Sequence, residues 1–171
     1  VVRLSCGPWR GGRGAGLWWG AGRPVVGDTW GGGLYLVLGR VRGTGAFALR
    51  LCERMRSADW RAMGFSHDLA MRIGLHAGPA YAFLDPVTGR PNFIGAHVSR
   101  AARIEPITPP GEVYSSQALA ALARSEGNRN FSCCSVRQTA RDRASETVPT
   151  SAVQSTHPAP PPCTPPASQR L

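Results

Sequence analysis

Residues Met71-Arg72-Ile73-Gly74-Leu75-His76-Ala77 alternate apolar and polar positions and run into Gly78-Pro79. A period of two closed by a breaker predicts a half-buried strand. Between Gly95 and Glu105, Val98, Ala101, Ala102 and Ile104 recur at helical spacing, and the pattern stops before Pro106. Gly111 to Ser115 reads as another strand after the turn Pro109-Pro110-Gly111. Ser116 then caps a short helix over 116–123.

Upstream, the β-rich run after Gly31-Gly32-Gly33 predicts a hairpin over 25–38. Residues 44–57 place Phe47, Leu49, Leu51, Cys52 and Met55 around a helix with Arg50, Glu53, Arg54 and Arg56 outside. Residues 58–70 read as a loop anchored by Trp60 and Phe65. A strand near Ala80 to Leu84 precedes the tight turn Asp85-Pro86-Val87-Thr88-Gly89. Weak strands are expected over 131–136 and 148–153. Residues 1–24, rich in Gly, Arg and Trp, show neither period and read as a flexible segment. Residues 154–171 form a Pro-rich tail of disordered or polyproline-like character. The ordered domain is therefore expected over 25–153.

Composition narrows the chemistry. The 171 residues include 21 Gly and 15 Pro, more loop-forming residue than a compact domain of this size needs. The formal charge is +10, and every basic residue is Arg. Attraction to polyanions and plain solvated faces are both open, and the scatter of the arginines favours the second. The absence of Lys excludes a P-loop and a Schiff-base enzyme. Five cysteines, with no CxxC pair, argue against a zinc site or disulfide framework and fit a reduced, cytoplasmic setting. No apolar run reaches the roughly 18–20 residues of a membrane span. The chain does not begin with Met, which fits a fragment or a truncated reading frame.

Three stretches together carry a resemblance. Arg72-Ile73-Gly74-Leu75-His76-Ala77-Gly78 is similar to an RIGLHTG strand. Gly95-Ala96-His97-Val98-Ser99-Arg100-Ala101-Ala102-Arg103-Ile104-Glu105 is similar to a GxxVNxAxRxE helix. Pro110-Gly111-Glu112-Val113-Tyr114-Ser115-Ser116 is similar to a PGEVxxS strand. In this order they resemble the class III adenylyl/guanylyl cyclase catalytic domain, with the best match over 28–123. The resemblance implies an α+β fold: a ferredoxin-like antiparallel sheet with helices on one face, its first strand missing from this chain. It implies conversion of ATP to cyclic AMP and pyrophosphate in a bacterial-type signalling protein, with Mg2+ or Mn2+ as cofactor. The nucleoside triphosphate would lie across a homo- or heterodimer interface.

By the same resemblance, the arginine that stabilises charge on the phosphate falls on Arg103, whose planar fork suits phosphate oxygens. The ribose-binding position, four residues earlier on the same helix face, holds Ser99 in place of Asn. The base-selecting acid falls on Asn92, an amide that both donates and accepts. The second metal-binding aspartate falls on Gly32. Asp28 lies roughly 13 Å away at about 3.3 Å per residue. No acidic residue precedes Asp28, so no first metal aspartate is visible either. The expectation is a degenerate domain, inactive alone. A half-site partner of a complete subunit and an Arg/Gly-rich nucleic-acid binder working through residues 1–24 are the alternatives. His76 reads as a packed residue, Asp85 as a turn residue, and His97 and Ser99 point apart as i,i+2 neighbours.

Overall fold

The computed structural model describes residues 2–5, 26–30, 33–66, 68–136 and 149–156. These form strands β1 (Val2–Ser5), β2 (Val26–Trp30), β3 (Gly33–Val37), β4 (Arg72–Leu75), β5 (Tyr81–Leu84), β6 (Pro91–Ile94), β7 (Val113–Ser116), β8 (Phe131–Ser135) and β9 (Thr150–Ser155). The helices are α1 (Val41–Ser57), α2 (Ala96–Ile104) and α3 (Gln117–Ser125), with a 3-10 turn at Glu105–Ile107. Seven strands make one sheet in the order β2-β3-β1-β4-β7-β9-β8, and β5 and β6 form a separate hairpin.

The α+β architecture and the order β2-β3-β1-β4, antiparallel throughout, are those of a ferredoxin-like core. Two expectations are corrected. The first strand is present: β1 pairs antiparallel with β3 on one side (Val2 opposite Leu36) and with β4 on the other (Val2 opposite Leu75). Ladders on both edges satisfy the backbone groups of a four-residue segment whose own pattern is too short to announce a strand. Residues 2–5 thus leave the segment read as flexible, and 6–24 lie outside the described residues, as does the tail from 157.

The second correction concerns the helices, which cover both faces. Leu36, Ile73, Leu75 and Val113 cluster with Phe47 and Leu51 of α1 and Leu119 of α3. Tyr35 and Val37, on the other side of the β3 pleat, cluster with Val98 of α2, with Phe93 packed alongside. Ile73 and Leu75 are fully buried, each worth about 1.5–3 kcal/mol of apolar burial. The pair β4–β7 is parallel, and the β5–β6 hairpin and α2 make its crossover.

Local chemistry explains the remaining boundaries. Trp60 and Phe65 meet edge to face at 5.6 Å, and the Trp60 indole donates to the Met55 carbonyl, anchoring the loop after α1. Ser116 Oγ accepts from the Leu119 N–H and caps α3. No helix among the described residues is long and apolar enough to cross a membrane.

Candidate functional site

Helix α2 is one-sided. Val98, Ala101 and Ile104 are buried against the sheet, and Ser99, Arg100 and Arg103 are exposed on the opposite side. The helix lies close because β4 offers Gly74 beneath it: a Cβ there would stand 2.7 Å from the Glu105 backbone nitrogen and 3.0 Å from the Ala101 carbonyl. Ser99 and Arg103, four residues apart, share the outward face. Arg103 also sits in the last turn, where a cation complements the helix dipole. Asn92 is half-buried on β6, the strand that leads into α2, and its Oδ1 accepts from the Phe93 N–H at 2.8 Å. The expected site residues therefore stand on one continuous segment, β6–α2, with two of them presented outward.

The hairpin beside α2 is exposed and apolar. Tyr81 is 75% exposed, and Leu84, Val87 and Ile94 are also exposed. Asp85 is a turn residue, as expected. Its Oδ1 accepts from the Val87 and Thr88 N–H groups, and those two bonds hold its carboxyl below the ordinary value.

The metal side is poorer in donors. Gly32 lies outside the described residues, and glycine has no side-chain ligand to give. Strand β1, which takes the place of the first strand, reads Val-Arg-Leu-Ser without a carboxylate. Among the described residues no three His, Cys, Asp or Glu side chains stand together as a metal site. Of the described residues, those of β1 offer no carboxylate to the pair of divalent ions that the resemblance implies, and the position it gives to the second metal aspartate is Gly32.

One cluster was not legible in the sequence. His76, 2% exposed at the end of β4, lies with Nδ1 2.7 Å from Ser116 Oγ and Nε2 2.8 Å from His97 Nδ1. The two imidazoles stack at 5.1 Å and 11°. Burial first, then the neighbouring His97 and Arg100, push His76 down to about 4. Gly78 makes room for the arrangement, since a Cβ there would overlap the His97 ring. His76 is the packed residue expected. Its pairing with His97 arises only once α2 lies on the sheet.

This fold is that of the class III adenylyl and guanylyl cyclase catalytic domains. The guanylyl cyclase domain of the RhoGC fusion protein from the aquatic fungus Blastocladiella emersonii is 18% identical, with a TM-score of 0.59 over 75% of this chain and 68% of that one. The adenylyl cyclase CyaB from P. aeruginosa is 18% identical, with a TM-score of 0.61 over 78% and 73%. The guanylate cyclase domain of RhGC from Catenaria anguillulae, solved in complex with GTP, is 20% identical, with a TM-score of 0.59 over 75% and 70%. No family model and no curated protein matches the sequence.

Proposed function

We propose that the chain is a class III cyclase homology domain that contributes the phosphate- and ribose-binding half of a nucleotide site and not the metal-binding half. The observation that carries this is the outward face of α2, where Ser99 and Arg103 stand exposed at i,i+4. An exposed arginine on this face supports contact with a ligand held by a facing subunit. Its guanidinium stays charged and meets two phosphate oxygens at once. Ser99 offers one hydroxyl on a short stem in the ribose position. The exposed apolar hairpin beside α2 supports association with such a subunit. Asn92, at the base-selecting position, contributes an amide to the same site.

With Gly32 at a metal-ligand position and no carboxylate on β1, a homodimer of this chain lacks the donors for divalent ions. It is therefore a pseudoenzyme on its own, in a signalling role inside the cell. The test is cyclic-nucleotide production from ATP and from GTP with Mg2+ or Mn2+. The chain alone is expected to give none above background. Mixed with a cyclase subunit that keeps its metal carboxylates but lacks its own arginine at this position, it should restore turnover, and Arg103→Ala should remove it. Turnover by the chain alone, or no gain on mixing, overturns the reading.

A further inference from the structure

The arginines that look scattered along the sequence do not stay scattered in the fold. On α1, Arg42, Ala46, Arg50 and Arg54 follow one another at i,i+4. Residues so spaced form one row along a helix, about 6 Å apart at about 1.5 Å per residue, so the row is about 18 Å long. Its three arginines are exposed, while Phe47, Ala48 and Leu51 hold the opposite side of the helix in the core. Nothing among the described residues neutralises the row. The one acid on α1, Glu53, is taken by Arg56 at 2.8 Å. Arg42, Arg50 and Arg54 meet no carboxylate among the described residues.

The charge of α1 also runs against its own dipole. The first turn holds Arg42 and no acid, and Arg40 stands at the N-cap without a side-chain capping bond. Cations are disfavoured at that end of a helix. A polyanion lying along the row would offset that cost, and departures of this kind from local preference belong to functional positions. The face also distinguishes between polyanions. A bilayer surface takes up apolar side chains together with basic ones, and none of the exposed large apolar residues lies on α1. A single strand stacks its bases on aromatic side chains, and α1 exposes none. A duplex presents a regular rod of phosphates, one charge per about 1.7 Å of axis and so about ten over the length of the row. Guanidinium forks meet such oxygens two at a time.

We infer that the outer face of α1, through Arg42, Arg50 and Arg54, docks the phosphate backbone of duplex nucleic acid without regard to sequence. Helix α1 packs on the face of the sheet opposite α2. The surface is therefore separate from Ser99 and Arg103, and it does not rest on the nucleotide reading.

The experiment is fluorescence anisotropy of a labelled mixed-sequence DNA duplex of about 20 base pairs, titrated with the full chain between about 50 and 200 mM salt. At about 0.9 of logarithmic slope per phosphate contact, three contacts are worth roughly 40-fold in affinity over that range. The variant carrying Arg42→Gln, Arg50→Gln and Arg54→Gln should therefore bind more weakly and show a slope flatter by about 2.7. A control carrying Arg90→Gln, Arg100→Gln and Arg129→Gln removes the same charge from other exposed positions. Its slope should stay within about one contact of the unsubstituted chain. Equal flattening in the two variants means that net charge alone attracts the duplex, and it overturns the site. No duplex binding at the lowest salt overturns it too, as does binding confined to vesicles of phosphatidylcholine and phosphatidylserine. Should the triple variant fail to fold by far-UV circular dichroism, Arg50→Gln decides alone: a slope flatter by about 0.9 supports the site, and an unchanged slope refutes it.

Discussion

Replacing Gly74 by alanine tests how α2 is held. The added Cβ would stand 2.7 Å from the Glu105 nitrogen, 3.0 Å from the Ala101 carbonyl oxygen and 3.1 Å from the Glu105 Cα. An ordinary contact begins at about 3.4 Å, so the shortfall against the nearest atom is roughly 0.7 Å. All three neighbours are backbone, and no rotamer change relieves the overlap. The C-terminal turn of α2 and the 3-10 turn after it must lift from β4 as a unit. Overpacking of this kind costs about 1–3 kcal/mol, and the upper end applies where backbone must move. Removing a glycine from a strand interior returns about 0.5–1 kcal/mol of chain entropy. The net expectation is a loss of about 2 kcal/mol, or roughly 4–8 °C in Tm for a chain of this length. Urea unfolding should show a lower midpoint with unchanged slope. Gly64→Ala is the comparator: its φ of +87° costs backbone strain, but its Cβ meets nothing within 4 Å. If Gly74→Ala unfolds within about 0.5 kcal/mol of the unsubstituted chain, α2 does not lie on the sheet as described.

Two further outcomes follow from single residues. Ser116→Ala removes the α3 cap and the hydroxyl that meets His76. With about 0.5–2 kcal/mol for a cap and 1–3 for a stranded buried partner, thermal or urea unfolding should register a loss of about 2 kcal/mol, and no change would mean the cap is not formed. Cys52 is buried in the main core, and burial raises its thiol to about 11. Its folded value lies above the unfolded one, so this contribution is intact below pH 9 and falls as pH rises toward 11. Native alkylation read by mass spectrometry should label exposed Cys134 well before Cys52, and equal labelling would contradict the core described.

Much of the fold was legible because local patterns and tertiary packing agree. The 3.6 period over α1 and α2, the Ser116 cap and the Asp85 turn all state their roles within a few residues. The errors have a common origin in residues that local pattern misreads. Gly74 counts as a polar position in the alternation Ile73-Gly74-Leu75, so β4 looks covered on one side. Its small size instead admits α2 on the second side, and that hid the two-faced arrangement. Strand β1 is four residues long, and its partners lie far along the chain, so nothing nearby signals a central strand. In the candidate site, Ser99 and Arg103 came from the family resemblance, and helix spacing put them on one face. His76 and His97 needed the third dimension, since they are 21 residues apart and meet only through Gly78.

The position of β1 also sets an order of events. Its two neighbours in the sheet, β3 and β4, are reached at Val2 opposite Leu36 and Val2 opposite Leu75. During synthesis at about 5–20 residues per second, β1 leaves the ribosome roughly 4–15 s before the far end of β4. The hairpin β2–β3 can accept it first, leaving its other edge open. Only when β4 emerges does the ladder close and the two halves of the sheet join. Contacts this distant in sequence slow the search for the native state, and the interval leaves an unpaired strand edge exposed to neighbouring chains.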